Sequence, residues 1–377
     1  MGMTSSVTGD PIADLRSRYG SLISLYAERP SPGGFGALLS DLVKPIRERA
    51  EGCERRVEKS LISDADRIHE LADSLELDSA PAYAVFASSL DEVFRVEPLG
   101  HGVPNVATVG PRPYLRPLRA APRSLRSGIL VADRAQARVF IGFEGMIDEL
   151  GRPKEADLGK PNFGGFAGYA EHNVRARADE VSSKLWKEAG SRLLETHLDR
   201  PFDYVAVGGH GETVEDIAAT LHPYLTELPR VSFPGSPQSA TVTSIRSEIV
   251  NLDEEVRRQR QHALAGRVCD TAWSGGNAVL GLPEVLAAAN SQAIDTLVIA
   301  GDFRRQGAIC DQCGLLARGD DRCPLCDAAM FKVEDVVGAL MDATVAAGGR
   351  AFQLRVASPV DLHGVGALTR FPVPVSS

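Results

Sequence analysis

LGKPNFGGFAGYAEHNVRAR, residues 158–177, is the stretch around which the rest of the chain is read. Five residues between 159 and 168 are Gly or Pro, and Lys160 is the only charge among those ten. Such a segment cannot bury a core of its own, so it reads as an exposed loop anchored at both ends by regular structure. The adjacent Gly164 and Gly165 leave the backbone bare, and another molecule can approach their N–H groups closely. A helical pattern follows from about Asn173, carrying Arg175 and Arg177. On composition alone the plain reading is a connection with no task.

The chain has 377 residues, enough for two or three domains. Its apolar fraction of 44% and charged fraction of 24% are those of an ordinary globular protein. No apolar run is long enough to span a bilayer. Residues 1–10 lack a basic region followed by an apolar core, so no secretory signal is visible and the expected location is cytoplasmic. A formal charge of −9 argues against a protein that coats nucleic acid non-specifically. Two local basic clusters stand out. Residues 112–126 hold five arginines and no acid, and Arg257, Arg258 and Arg260 form the second. Charge runs of this kind are usually solvated faces.

Apolar periodicity divides the chain into three α/β stretches, 1–125, 126–265 and 266–377. In the first, a short helix is expected over 12–19, strands over 22–26 and 82–88 (AYAVFAS) with a neighbour at 92–97, and helices over 37–58 and 63–75. A Pro/Arg-rich linker leads out. In the second, GILVA (128–132) and ARVFI (137–141) form a hairpin around residues 133–136. Beyond the glycine loop, Ala178, Val181, Leu185, Ala189 and Leu193 make one stripe of a long amphipathic helix. A strand at 204–208 runs into Gly208-Gly209-His210-Gly211, then a helix with Ile217, Leu221 and Leu225 inside. That turn fits neither a dinucleotide fingerprint nor a P-loop, and His210 has no nucleophile beside it. A strand at 231–233 and a charged helix at 243–262 follow. The third stretch offers a helix at 283–291, a strand at 294–300, a helix at 333–347 and a strand at 353–356.

Cys310-Asp-Gln-Cys313 and Cys323-Pro-Leu-Cys326 are two C-x-x-C knuckles in one short insert, 307–329. Two knuckles supply a tetrahedral S₄ set, the closed geometry of structural zinc, with no open position for catalysis. Gly314 and Gly319 allow the turns. The rival is a redox dithiol pair, but no thioredoxin-like βαβ pattern surrounds it. Cys53 and Cys269 stand apart as buried or inert thiols.

Gly164-Gly165-Phe166, followed by small residues and an Arg-bearing helix start, resembles the GGQ loop of class 1 eukaryotic and archaeal release factors. Their superfamily includes Pelota-type rescue factors and bacterial relatives such as Balon-type hibernation factors. The strings ISLYAERP, AVFAS and RPYLRPL are similar to a bacterial N-terminal domain of this kind, with nothing like the stop-codon-reading NIKS segment. AVLGLPEVLAAANSQAIDTLVIAGD, EDVVGALMDATVAAGGRAFQLR and GVGALTRF resemble domain three, an α/β sandwich related to kink-turn RNA-binding ribosomal proteins. The resemblance implies a three-domain α/β architecture with a four-cysteine zinc ribbon inserted in the third domain. It implies a ribosomal A-site partner, with Gly164, Gly165 and Phe166 directed at the peptidyl-transferase centre and Lys160, Arg175 and Arg177 against large-subunit rRNA. It also implies a translational GTPase as a possible carrier. Phe166 stands where that family has glutamine.

Two other readings remain open. A stand-alone hydrolase would need a base, and His172 is the candidate nearest the loop, but the nucleophile-elbow, zincin and P-loop motifs are absent. A zinc-ribbon adaptor would bind RNA or protein through residues 266–377 alone.

Overall fold

The computed structural model describes residues 11–121, 124–151 and 169–373, without the side chains of 169–176 and 178. The chain divides into two compact units, Met1–Ala121 with His262–Ser377, and Pro122–Gln261. Both are mixed α/β.

The chain enters through β1 (Leu22–Glu28), six of whose seven residues are buried because both its faces are covered. Ile23, Leu25 and Ala27 point to α1 (Phe35–Ala50), α2 (Arg55–His69) and α3 (Ala72–Leu77). Leu22 and Tyr26 alternate to the other face, against Val103 and Leu115. Next come β2 (Ala82–Ser88), β3 (Val93–Leu99), β4 (Val106–Gly110) and the short α4 (Arg116–Arg119), giving an antiparallel sheet of order β3-β2-β1-β4. Residues 12–19 form turns instead of the expected helix. The Ser17 N–H is spent on the Pro111 carbonyl, at 2.8 Å, rather than on a helical partner. The expected 37–58 helix breaks around Gly52, where α1 ends and α2 has yet to begin.

In the second unit β5 (Arg126–Ala132) and β6 (Ala137–Phe143) make the expected hairpin. The Asp133 carboxylate accepts the N–H groups of Ala135 and Gln136, each at 2.7 Å, which fixes the turn. There follow β7 (Met146–Gly151), α5 (Tyr169–Asp199), β8 (Tyr204–Gly209), α6 (Thr213–Ala219), α7 (Pro223–Thr226) and β9 (Arg230–Pro234). The sheet order is β7-β6-β5-β8-β9, with β8 parallel to β5 and to β9. Leu185, Ala189 and Leu193 of α5 and Ile217, Leu221 and Leu225 cover one face. Ile245, Ile249 and Val256 of α8 (Val242–Trp273) cover the other. The α5 helix starts at Tyr169, four residues before the sequence signal near Asn173.

Helix α8 continues to Trp273, and its residues Ala265, Val268 and Cys269 lie in the first unit. There they back a third sheet through Val298, Ala300 and Leu354. That sheet is built from β10 (Ala278–Leu280), β11 (Ile294–Ile299), β15 (Arg350–Gln353) and β16 (Val365–Thr369), in the order β10-β16-β11-β15. Its other face is covered by α9 (Leu282–Asn290) and α10 (Val336–Ala346). Between β11 and α10 the chain forms a three-stranded ribbon of β12 (Gly307–Cys310), β13 (Leu316–Ala317) and β14 (Met330–Val333). Val333 closes β14 instead of opening the helix, and Asp335 caps α10 by accepting the Val337 N–H at 3.1 Å. Strand β15 lies over 350–353 rather than 353–356, and its last link to β11 is the Leu354 N–H bonded to the Ile299 carbonyl at 2.8 Å. Among the described residues no helix is long and apolar enough to cross a membrane.

Candidate functional site

The ribbon brings Cys310, Cys313, Cys323 and Cys326 together, with all four sulfurs within 4.8 Å of one another. The knuckles are copies of one turn. The Cys310 N–H bonds to the Leu315 carbonyl and the Cys310 carbonyl accepts from Gly314, both at 2.9 Å. The Cys323 N–H bonds to Ala328 and the Cys323 carbonyl accepts from Asp327, both at 2.8 Å. Each turn needs a left-handed residue at the same place. Gly314 supplies it at φ +78° and Asp327 at φ +57°. Gly319, expected to allow a turn, does not adopt that conformation. Asp327 instead holds Arg322 through two 2.7 Å bonds.

The sulfur spacing excludes a formed disulfide and is compatible with one shared metal ion. Cys310 to Cys326 and Cys313 to Cys323 are each 3.4 Å, and Cys313 to Cys326 is 3.7 Å. A disulfide needs about 2.05 Å. Tetrahedral coordination at about 2.3 Å per bond places sulfurs about 3.8 Å apart. The four thiols therefore fit a metal ion of zinc's preferences. Burial disfavours a thiolate on Cys310, but the N–H groups of Cys313 and Gln312 and the neighbouring thiols outweigh it and pull Cys310 down to about 6. Cys313 and Cys326 shift upward, although N–H donors at Leu315 and Ala328 favour their thiolates, because sulfurs of the cluster oppose a second charge. Four thiolates at this spacing need a cation among them.

Of the glycine-rich tip, Lys160, Gly164, Gly165 and Phe166 lie outside the described residues, as do the side chains of His172 and Arg175. The anchors on either side are described. The edge strand β7 ends at Gly151, and the 31-residue α5 begins at Tyr169. Arg177 is exposed on α5. Trp186, which the stripe on α5 did not include, fixes the helix to the β5–β6 turn by donating its indole N–H to the Asp133 carbonyl at 2.8 Å. His210 is exposed at its turn.

Both arginine clusters have structural work. Arg257 pairs with Asp253 at 3.5 Å and Arg260 with Asp203 at 3.1 Å, while Arg258 bonds Glu255. The 112–126 run is more consequential. Arg116 is 2% exposed and donates Nη1 to Asp335 Oδ2 at 2.7 Å and Nε to Gln353 at 3.2 Å. The Tyr114 hydroxyl donates to the same Asp335 oxygen at 2.7 Å. Burial and then the Asp335 charge push the Tyr114 phenol well above its ordinary range. Arg119 pairs with Asp342, whose carboxyl is pushed up to about 6 by burial in spite of that arginine. A stretch expected to be a linker thus ties 1–121 to the ribbon-bearing sheet. Its signal was the lack of acids within 112–126, since the matching carboxylates lie more than two hundred residues further on.

No family model matches the chain, and no curated protein matches it. Solved structures are similar to it at a distance. The archaeal translation termination factor aRF1 is 16% identical, over 96% of this chain and 95% of that one, with a TM-score of 0.23. Pelota of Archaeoglobus fulgidus is 16% identical, over 78% and 81%, with a TM-score of 0.36. A model of ribosome-bound archaeal Pelota and ABCE1 is 18% identical, over 78% of each chain, with a TM-score of 0.41.

Proposed function

We propose that the chain is a ribosome-binding, tRNA-mimicking translation factor of the release-factor and Pelota kind, acting in rescue or hibernation. The observation that carries this reading is the mounting of the glycine-rich tip. A segment too poor in apolar residues to fold on its own leaves an edge strand at Gly151 and returns at the head of a 31-residue helix packed on the same sheet. Such a mount suits a backbone tip that reaches into a narrow ribosomal site. In this reading Gly164, Gly165 and Phe166 meet the peptidyl-transferase centre, and Lys160, Arg175 and Arg177 meet rRNA phosphates. Residues 1–125 face the decoding site, 126–265 the large subunit, and 266–377 a partner such as a translational GTPase. Cys310, Cys313, Cys323 and Cys326 hold one structural zinc ion.

Phe166 decides between occupancy and turnover. A main-chain N–H at 166 can still stabilise an oxyanion. The phenyl ring has no donor or acceptor with which to orient a water. It can stack on a base, which is worth about 1–3 kcal/mol. Occupancy is therefore favoured. Peptide release is the second reading, supported by the intact Gly164-Gly165 pair, whose close packing does not depend on the side chain that follows.

The test has two parts. The purified chain should co-sediment with ribosomes or large subunits, and its release of peptide from ribosome-bound peptidyl-tRNA should be slow. Phe166→Gln should accelerate release. Fast release that ignores residue 166 would defeat the occupancy reading, and failure to co-sediment would defeat both.

A further inference from the structure

A cleft of about 690 Å³ opens within the first unit beside the third sheet. Residues 300–304, directly after β11, and 353–357, at the end of β15, form one wall. Residues 114–121 and the 102–104 loop form the other. Strands β11 and β15 are parallel, so the cleft lies outside the carboxyl ends of a parallel pair. Ligand crevices in α/β sheets occur at such places. The volume is that of a small-molecule site.

Three arginines and two aspartates line the cleft, and one buried arginine donor is unsatisfied. The arginines are Arg116, Arg304 and Arg355. Arg116 is 2% exposed, yet its Nη2 has no hydrogen-bond partner among the described residues. A guanidinium N–H left unpaired in the interior is unfavourable. The Arg304 side chain is exposed and makes no hydrogen bond or ion pair among the described residues. The cleft's two carboxylates each accept a hydrogen bond from a neutral donor. Asp302 accepts from Gln353 at 3.1 Å and Asp361 from the Ser358 N–H at 2.8 Å. Phe303, Leu354 and Tyr114 add apolar surface. Planar guanidinium donors and apolar side chains in one cleft match a phosphate joined to a ring.

We propose that this cleft binds a small phosphate-bearing ligand of mononucleotide size. The inference does not depend on ribosome binding. It is tested by calorimetric titration of the full chain with inorganic phosphate, AMP and GMP. At least one mononucleotide should bind. Arg304→Glu, a surface change, should weaken that binding by about tenfold or more, and Arg116→Lys, which keeps a charge beside Asp335 but loses the planar fork, should weaken it similarly. Arg318→Glu, a charge reversal at an exposed ribbon residue outside the cleft, should leave it unchanged. If Arg116→Lys does not fold, Arg304→Glu still decides. Absence of binding by all three probes at millimolar concentration, or equal affinity in Arg304→Glu, would overturn the proposal. So would a short oligoribonucleotide that binds through Arg304 while mononucleotides do not.

Discussion

Arg116 shows how much one buried side chain can control. Its guanidinium and the Tyr114 hydroxyl converge on one oxygen of Asp335, which also caps α10 through its other oxygen. Arg116→Ala would strand that carboxylate with little water around it. Breaking such a pair from one side costs about 3–5 kcal/mol, so chemical denaturation should show a loss of that order. Asp342 makes a second prediction. Its folded-state carboxyl titrates near 6, above the ordinary aspartate value of 3.8. The folded form therefore takes up a proton before the unfolded form does, and stability from this residue is present at low pH and lost as pH rises through about 6. Unfolding midpoints should rise between pH 7 and pH 5, and Asp342→Asn should flatten that slope. Neither role was legible from the residues alone. The arginines were visible as a cluster, but their partners at 335 and 342 become neighbours only when the sheet they belong to has formed.

At the scale of elements, the ribbon is where sequence and structure agree most closely. The spacing of Cys310, Cys313, Cys323 and Cys326 was enough to place four sulfurs in one cluster, because each C-x-x-C turn is closed by bonds local to itself. Protein made with zinc available should carry about one equivalent per chain, measured by elemental analysis. Cys313→Ser or treatment with a chelator should lower the melting temperature, since metal binding is linked to folding of the ribbon. Asp327 was not foreseeable as the left-handed residue of the second knuckle, because glycine is the usual sign of that conformation. Strands of uniform apolar character, such as 82–88 and 204–208, were readable. Strand β7, half of whose residues are exposed, was not, because it lies at a sheet edge and lacks an apolar run. The helix expected over 12–19 was lost to a long-range bond, that of the Ser17 N–H to the Pro111 carbonyl. Within β5, Gly128 is a packing position: a Cβ there would sit 2.5 Å from the Phe202 ring. Gly128→Ala should cost about 1–3 kcal/mol, read by thermal unfolding, and the smaller Phe202→Leu ring replacement should restore part of the loss.

For the whole molecule, the division of the chain matters more than the count of its elements. The first unit is discontinuous, drawing on Met1–Ala121 and His262–Ser377, whereas Pro122–Gln261 is one uninterrupted piece. Residues 122–261 expressed alone should unfold cooperatively. Residues 262–377 alone should be aggregation-prone and less stable, since Asp335 would lose Arg116 and Tyr114, and the Phe331 ring would lose its seat against Gly20. Adding residues 1–121 in trans should restore a stable complex, observable by size-exclusion chromatography. This arrangement also sets a timetable during biosynthesis. The amino-terminal portion leaves the exit tunnel first, with Arg116 unmatched, and must wait while all of 122–261 is polymerised. At about 5–20 residues per second that interval is roughly 7–30 s, before its carboxyl-terminal half even begins to emerge. A nascent chain with such a delay is a natural client for chaperones that shield early segments, and rare codons placed within 122–261 would lengthen its exposure.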